Sequence, residues 1–235
     1  MLRHLSVALL ALAVTACAGT VPGSSATSPP PHPPTASAER TPSPTSSPDT
    51  EQVTVTASGL GAYDLQVYPV AVLHNQASAH IATGVVVGFT VQFPGGTYSF
   101  AAEPVSLAPG ETLAATALCT GSCEGATSTA VSVTVGGWEA GERTVISASP
   151  ATYACGSPCA GSVGYEGDAS ATLSGQVAAG TLISVSAACQ DGTGAIVGGG
   201  LLPTVWPGGG SMPASVPVEV SAQPASCRLY ATEVS

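Results

Sequence analysis

Lysine is absent from this chain of 235 residues, and arginine occurs only at Arg3, Arg40, Arg143 and Arg228. Charged residues make up 8% of the sequence, against about 25% in an average soluble domain. The four cations face 14 acids, for a formal charge of -10. This balance argues against a nucleic-acid partner, because phosphate binding needs a clustered basic surface. It also argues against electrostatic docking on anionic lipid. Long apolar runs are missing apart from one, Leu5 to Val14. Aromatics are sparse: three Phe, six Tyr and two Trp, too few to assume that any one is free for ligand recognition.

The parts of common catalytic sites are missing too. There is no Gly-x-Ser-x-Gly elbow, no His-Glu-x-x-His, no P-loop and no dinucleotide-binding glycine fingerprint. Past the N-terminal segments the only histidines are His74 and His80, which flank Asn75 in a stretch that reads as a loop. Asp64, Glu103, Glu166 and Asp168 sit in or beside turn-like sequence. Glu166-Gly167-Asp168 reads as an exposed hairpin tip. No enzyme, cofactor or metal is expected. A solute or metal site, if there is one, would use His74 and His80 or the Glu166-Asp168 turn. Tyr63, Tyr68, Trp138, Tyr153, Tyr165 and Trp206 are the aromatics that could meet a glycan or peptide. The alternative is that Trp206 and Tyr230 fill a core and Trp138 covers a junction.

What is present begins with an export signal. Arg3 gives a short positive start, and the ten apolar residues that follow are too few to span a bilayer, which takes roughly 20. Val14-Thr15-Ala16-Cys17 resembles the lipobox of bacterial lipoprotein signal peptides. The resemblance implies removal of residues 1–16 and lipidation of Cys17, with diacylglyceryl and added acyl (palmitate-type) chains. Two or more chains suffice for stable anchoring, as one does not. The expected place is the extracytoplasmic face of the cell membrane.

Residues 18–50 contain nine prolines and thirteen serines or threonines among 33 residues. Such a segment has nothing with which to build a core and reads as a disordered tether. Fully extended it would reach roughly 100 Å.

Residues 51–235 read as all-β, in two tandem antiparallel sandwich domains, 51–140 and 141–235. In Gly84–Phe93 the residues Val85, Val87, Phe89, Val91 and Phe93 alternate with smaller or polar ones, the period of a half-buried strand. Gly180–Cys189 repeats this at an offset of 96, placing Ile183, Val185, Ala187 and Cys189 where Val87, Phe89, Val91 and Phe93 fell. In each half a strand leads to a Gly-rich turn, a return strand, a Pro-Gly and a last pair of strands. GVVVGFTVQFPGGTYSF…VSLAPGETLAATA and GTLISVSAACQDGTGAIVGGG…WPGGGSMPASVPV carry this layout. It resembles the FxLYD-type immunoglobulin-like module of bacterial surface lipoproteins. That resemblance implies an interaction role and no catalytic residue. The lack of lysine and the Ala/Gly/Pro/Val/Thr bias resemble secreted proteins of high-GC actinobacteria.

With Cys17 set aside, six cysteines remain: Cys119, Cys123, Cys155, Cys159, Cys189 and Cys227. An even number in an exported chain points to disulfides. Cys119/Cys123 and Cys155/Cys159 are each separated by three residues that can turn tightly, and Cys189/Cys227 would join two strands. Cross-pairing of the two short motifs is the main rival; a four-cysteine zinc site or a redox centre is a lesser one. The expected function is a non-catalytic envelope protein that presents interaction domains to an envelope protein or glycan. The alternative is an extracytoplasmic solute- or metal-binding lipoprotein.

Overall fold

The computed structural model describes residues 50–63, 66–120, 123–156 and 165–234. The signal segment, Cys17, the tether to residue 49, Asp64 and Cys159 lie outside them. In chain order the strands are β1 (Val53–Tyr63), β2 (Gln66–Asn75), β3 (His80–Phe93), β4 (Gly96–Ala101), β5 (Val105–Leu107), β6 (Thr112–Thr116), β7 (Cys119–Thr120) and β8 (Ser128–Thr134). They continue with β9 (Gly137–Ala140), β10 (Ser147–Ala148), β11 (Thr152–Cys155), β12 (Tyr165–Ser174), β13 (Leu182–Gln190), β14 (Ile196–Val205), β15 (Ser211–Val220) and β16 (Ser226–Glu233). The fold is all-β, with no helix among the described residues. One sheet has eleven strands and the other has five.

In the first half, β1, β2 and β6 face the five-stranded sheet built on β3. The alternation read from the sequence does its work here. Val85, Val87, Phe89 and Val91 are buried, and the first three meet Leu73, Leu107 and Leu113 in one core. β3 starts earlier than its apolar pattern suggests and changes partners along its length. His80–Thr83 pairs with β9; Gly88–Phe93 pairs with β4 and Val86–Gln92 with β8. Between these parts Gly84 has φ +58°, a left-handed conformation that suits a residue without Cβ. The strand bends there, and its register against β5 slips between Ala82 and Val85.

In the second half, β12, β15, β14, β13 and β16 pair in succession. The curl is closed at the other side by residues 146–148. Ile146 bridges to Ala231, while Ser147 and Ala148 pair with β12. Ile183, Val185, Ala187 and Cys189 point inward with Leu173, Val216 and Trp206. Trp206 is fully buried, and its indole Nε1 donates to the Gly209 carbonyl at 3.1 Å. The repeated layout is visible in the pairing. β3 lies between β4 and β8, and β13 lies between β14 and β16, all antiparallel.

The eleven-stranded sheet runs through both halves. β1 and β14 meet in parallel at Gly59 and Ile196. Val70, Val72 and Ala114 of the first half pack on Ala188 and Ile196 of the second in a separate buried cluster. The outward face of β2 and β6 is thereby covered by the outward face of β13 and the start of β14. Arg143 ties the halves together again. Its guanidinium donates to the Ser106 carbonyl on one side, and to Thr232 Oγ1 at 2.8 Å and the Glu233 carbonyl at 3.1 Å on the other.

Candidate functional site

A groove of about 840 Å³ opens where the contact between the halves ends. That lies within the roughly 300–1,000 Å³ typical of small-molecule sites, which favour junctions of this kind. Val72 and Thr112 stand on the first-half wall, residues 145–151 form a rim, and the outward face of β16 forms the second wall. Alternation along β16 decides which side chains reach it. Cys227 and Leu229 turn inward to the second core, so Arg228 and Tyr230 turn outward. Arg228 stands opposite Ala188 in the β13 ladder, and Tyr230 stands opposite Ser186.

Arg228 is exposed, and no carboxylate of the described residues forms an ion pair with it. Tyr230 is half-buried between the first core and the inter-half cluster. Burial pushes its phenol pKa up, and the neighbouring Arg228 guanidinium opposes that shift. Glu111 also lines the groove, but its carboxylate is engaged: Oε2 accepts from the Ala108 amide at 2.6 Å. Burial raises the Glu111 pKa, against the pull of that amide and of Arg143. Below the groove, Asn75 is fully buried. It donates to the carbonyls of His80 (2.9 Å), Leu107 (3.1 Å) and Ala108 (2.9 Å), and accepts from the Ala77 amide at 3.0 Å. These bonds pin the Pro109-Gly110 turn that carries Glu111.

The residues singled out in the sequence fall elsewhere. His74 is inside β2 and not in a loop; its Nδ1 lies 3.2 Å from Thr112 Oγ1. His80 opens β3, with its Nδ1 3.7 Å from Glu51. Glu166 and Asp168 are not at a hairpin tip. Both lie on β12, exposed on the face opposite Ala169, with Glu219 and Pro217 as their ladder partners. The Gly167 between them carries no side chain, so sequence alone made a strand look like a turn. Among the described residues no three His, Cys, Asp or Glu side chains converge.

Cys119 bonds to Cys123, and Cys189 bonds to Cys227, its direct ladder partner, with Cα atoms 4.0 Å apart. The first bridge removes Cys119 and Cys123 from any cross-pairing or four-cysteine zinc site. Cys155, on β11, is also disulfide-bonded. Of the candidate aromatics, Trp206 is sealed in the second core and Tyr153 packs beside it. Trp138 packs on the first core, and Tyr230 sits between the halves and not inside the second core. The groove residue Arg228 was not singled out by motif; an arginine in a strand next to a core cysteine was its one signal.

Compared with protein-family models and with curated proteins, the chain matches none of them.

Proposed function

We propose that this protein is a lipid-anchored component of the cell envelope, held through Cys17 on the extracytoplasmic face. In this reading it presents two immunoglobulin-like halves for interaction with an envelope protein or glycan, without catalysing a reaction. The export signal, the lipobox and the Pro/Ser/Thr tether support the anchor and the spacer. Two disulfides suit an oxidising compartment. The antiparallel pairs β2–β6 and β3–β8 support the immunoglobulin-like reading and the resemblance to the FxLYD-type module.

The observation that carries the reading is the shared sheet. The halves are joined by β1–β14 pairing, a buried cluster and Arg143, so the body offers its surfaces in a set relation with no linker between halves. A scaffold on a long tether needs that property. The test is replacement of Cys17 by Ala, followed by fractionation. The wild-type chain is expected in the membrane, and the variant in the soluble or secreted fraction. Retention of the variant in the membrane overturns the anchor.

The second reading, an extracytoplasmic solute-binding lipoprotein, is favoured by the groove between the halves. For the metal version, His74 and His80 stand on β2 and β3 and Glu166 and Asp168 on β12, and among the described residues no three His, Cys, Asp or Glu side chains converge.

A further inference from the structure

The groove has one chemical peculiarity. Residues 51–235 carry twelve acids and two cations, Arg143 and Arg228. In such a chain every arginine has carboxylates to choose from. Arg143 is consumed by three backbone and hydroxyl acceptors and lies near Glu111. Arg228 forms no ion pair among the described residues, although it is exposed at the wall of a groove. Glu111, the acid that lines the same groove, is turned to the Ala108 amide. The guanidinium hydrogen-bonds the Tyr230 phenol beside it, and its remaining donors have no carboxylate partner among the described residues and are open to a ligand. The wall around it is mixed: Ala57, Val72, Ala188 and Tyr230 give it an apolar and aromatic part, and Thr56, Thr112, Gln190 and Ser226 a polar part.

We infer that this groove binds a small organic carboxylate, gripped by the Arg228 guanidinium, with its apolar body against Tyr230 and Val72. A planar guanidinium matches a carboxylate through two parallel hydrogen bonds. The apolar part of the wall takes up the rest of such a ligand. A fully hydrated inorganic anion would gain only the charge. This inference rests on the solute-binding reading and needs nothing from the anchor.

The test uses the full chain in neutral detergent, with N-acetyl-leucine and its amide as a matched pair and inorganic phosphate as a third probe, followed by calorimetric titration. The acid is expected to bind at least about tenfold more tightly than the amide, the value of one charge-assisted hydrogen bond. Phosphate is expected to bind more weakly than the acid. Arg228→Gln is expected to abolish the preference with an unchanged melting temperature, since the residue is on the surface. If that variant fails to fold, Arg228→Lys serves in its place and retains a reduced preference. Tyr230→Ala is expected to weaken acid and amide together. The inference is overturned if neither leucine probe binds, if both bind alike, if phosphate matches the acid, or if the Arg228 variants keep the full preference. Such a failure leaves the membrane fractionation of the Cys17 variant untouched, so the two readings fail separately.

Discussion

Gly61 of β1 lies directly against the Glu219 carbonyl of β15: a Cβ added at Gly61 would stand 1.9 Å from that oxygen. It would also come within 2.8 Å of the Gly198 Cα on β14. Three strands from two halves of the sequence thus meet backbone to backbone. Only glycine allows this approach, and the obstacle is main chain, which cannot swing aside as a side-chain tip can. The contact explains how two sandwich-like halves share one sheet without a side-chain layer at this point.

Gly61→Ala should therefore destabilise the fold by about 1–3 kcal/mol, the usual range for overpacking. Gly192→Ala is the control, because a Cβ there meets nothing within 4 Å. Its melting temperature should be unchanged or slightly higher, through reduced freedom of the unfolded chain. Thermal unfolding of both variants checks this. Equal melting temperatures would show that the seam is looser than the contact distances imply.

The two described disulfides should differ in weight. Cys189–Cys227 spans 38 residues and Cys119–Cys123 spans four. Loop-closure entropy gives about 4 kcal/mol for the first and about 2 for the second. Replacing Cys189 and Cys227 together by Ala should cost more in urea unfolding than replacing Cys119 and Cys123. The reverse order would mean that the short loop carries structure that closure entropy does not describe.

Much of this was legible in the sequence. Alternation in Gly84–Phe93 and Gly180–Cys189 gave two central strands and their inward faces, because period-2 burial is written directly in residue type. Cys189 with Cys227 was one candidate pairing among the six cysteines, and the structure selects it. The groove was not legible. It depends on which outward faces of β2, β6, β13 and β16 cover one another, and outward faces of Thr, Ser, Ala and Val look alike whether they meet water or another strand. Glu166-Gly167-Asp168 misled for a related reason: acids flanking glycine suit a turn, but they also suit the outer side of a strand whose Gly167 is buried under the Tyr153 ring.

Arg143 should matter to both halves at once. Arg143→Gln removes charge-assisted bonds to Ser106 on one side and to Thr232 and Glu233 on the other. A loss of about 2–3 kcal/mol is expected. Fluorescence of Trp138, on the first core, and of Trp206, in the second, read from single-tryptophan variants, should shift their urea midpoints together. A shift confined to one tryptophan would place Arg143 in one half alone.

Glu111 gives a pH dependence of definite sign. Its carboxyl is raised from the ordinary value of 4.5 by burial, with the Ala108 amide and Arg143 opposing. The folded state therefore holds this proton more tightly than the unfolded state. Its contribution to stability is greatest at low pH and is lost as pH rises from the ordinary carboxylate range through the raised value. Glu111→Gln keeps an acceptor for the Ala108 amide and does not titrate. Its melting temperature relative to wild type should climb across that interval and then level off. A difference that is flat with pH, or that falls, would contradict the burial of this carboxyl.

The claim that the halves form one body is tested most directly by scanning calorimetry of the intact, disulfide-bonded protein. Joined by β1–β14 pairing, the buried cluster of Val70, Val72, Ala114, Ala188 and Ile196, and Arg143, residues 50–234 should unfold in one transition, with calorimetric and van't Hoff enthalpies equal. Two resolved transitions, each of about half the enthalpy, would contradict it.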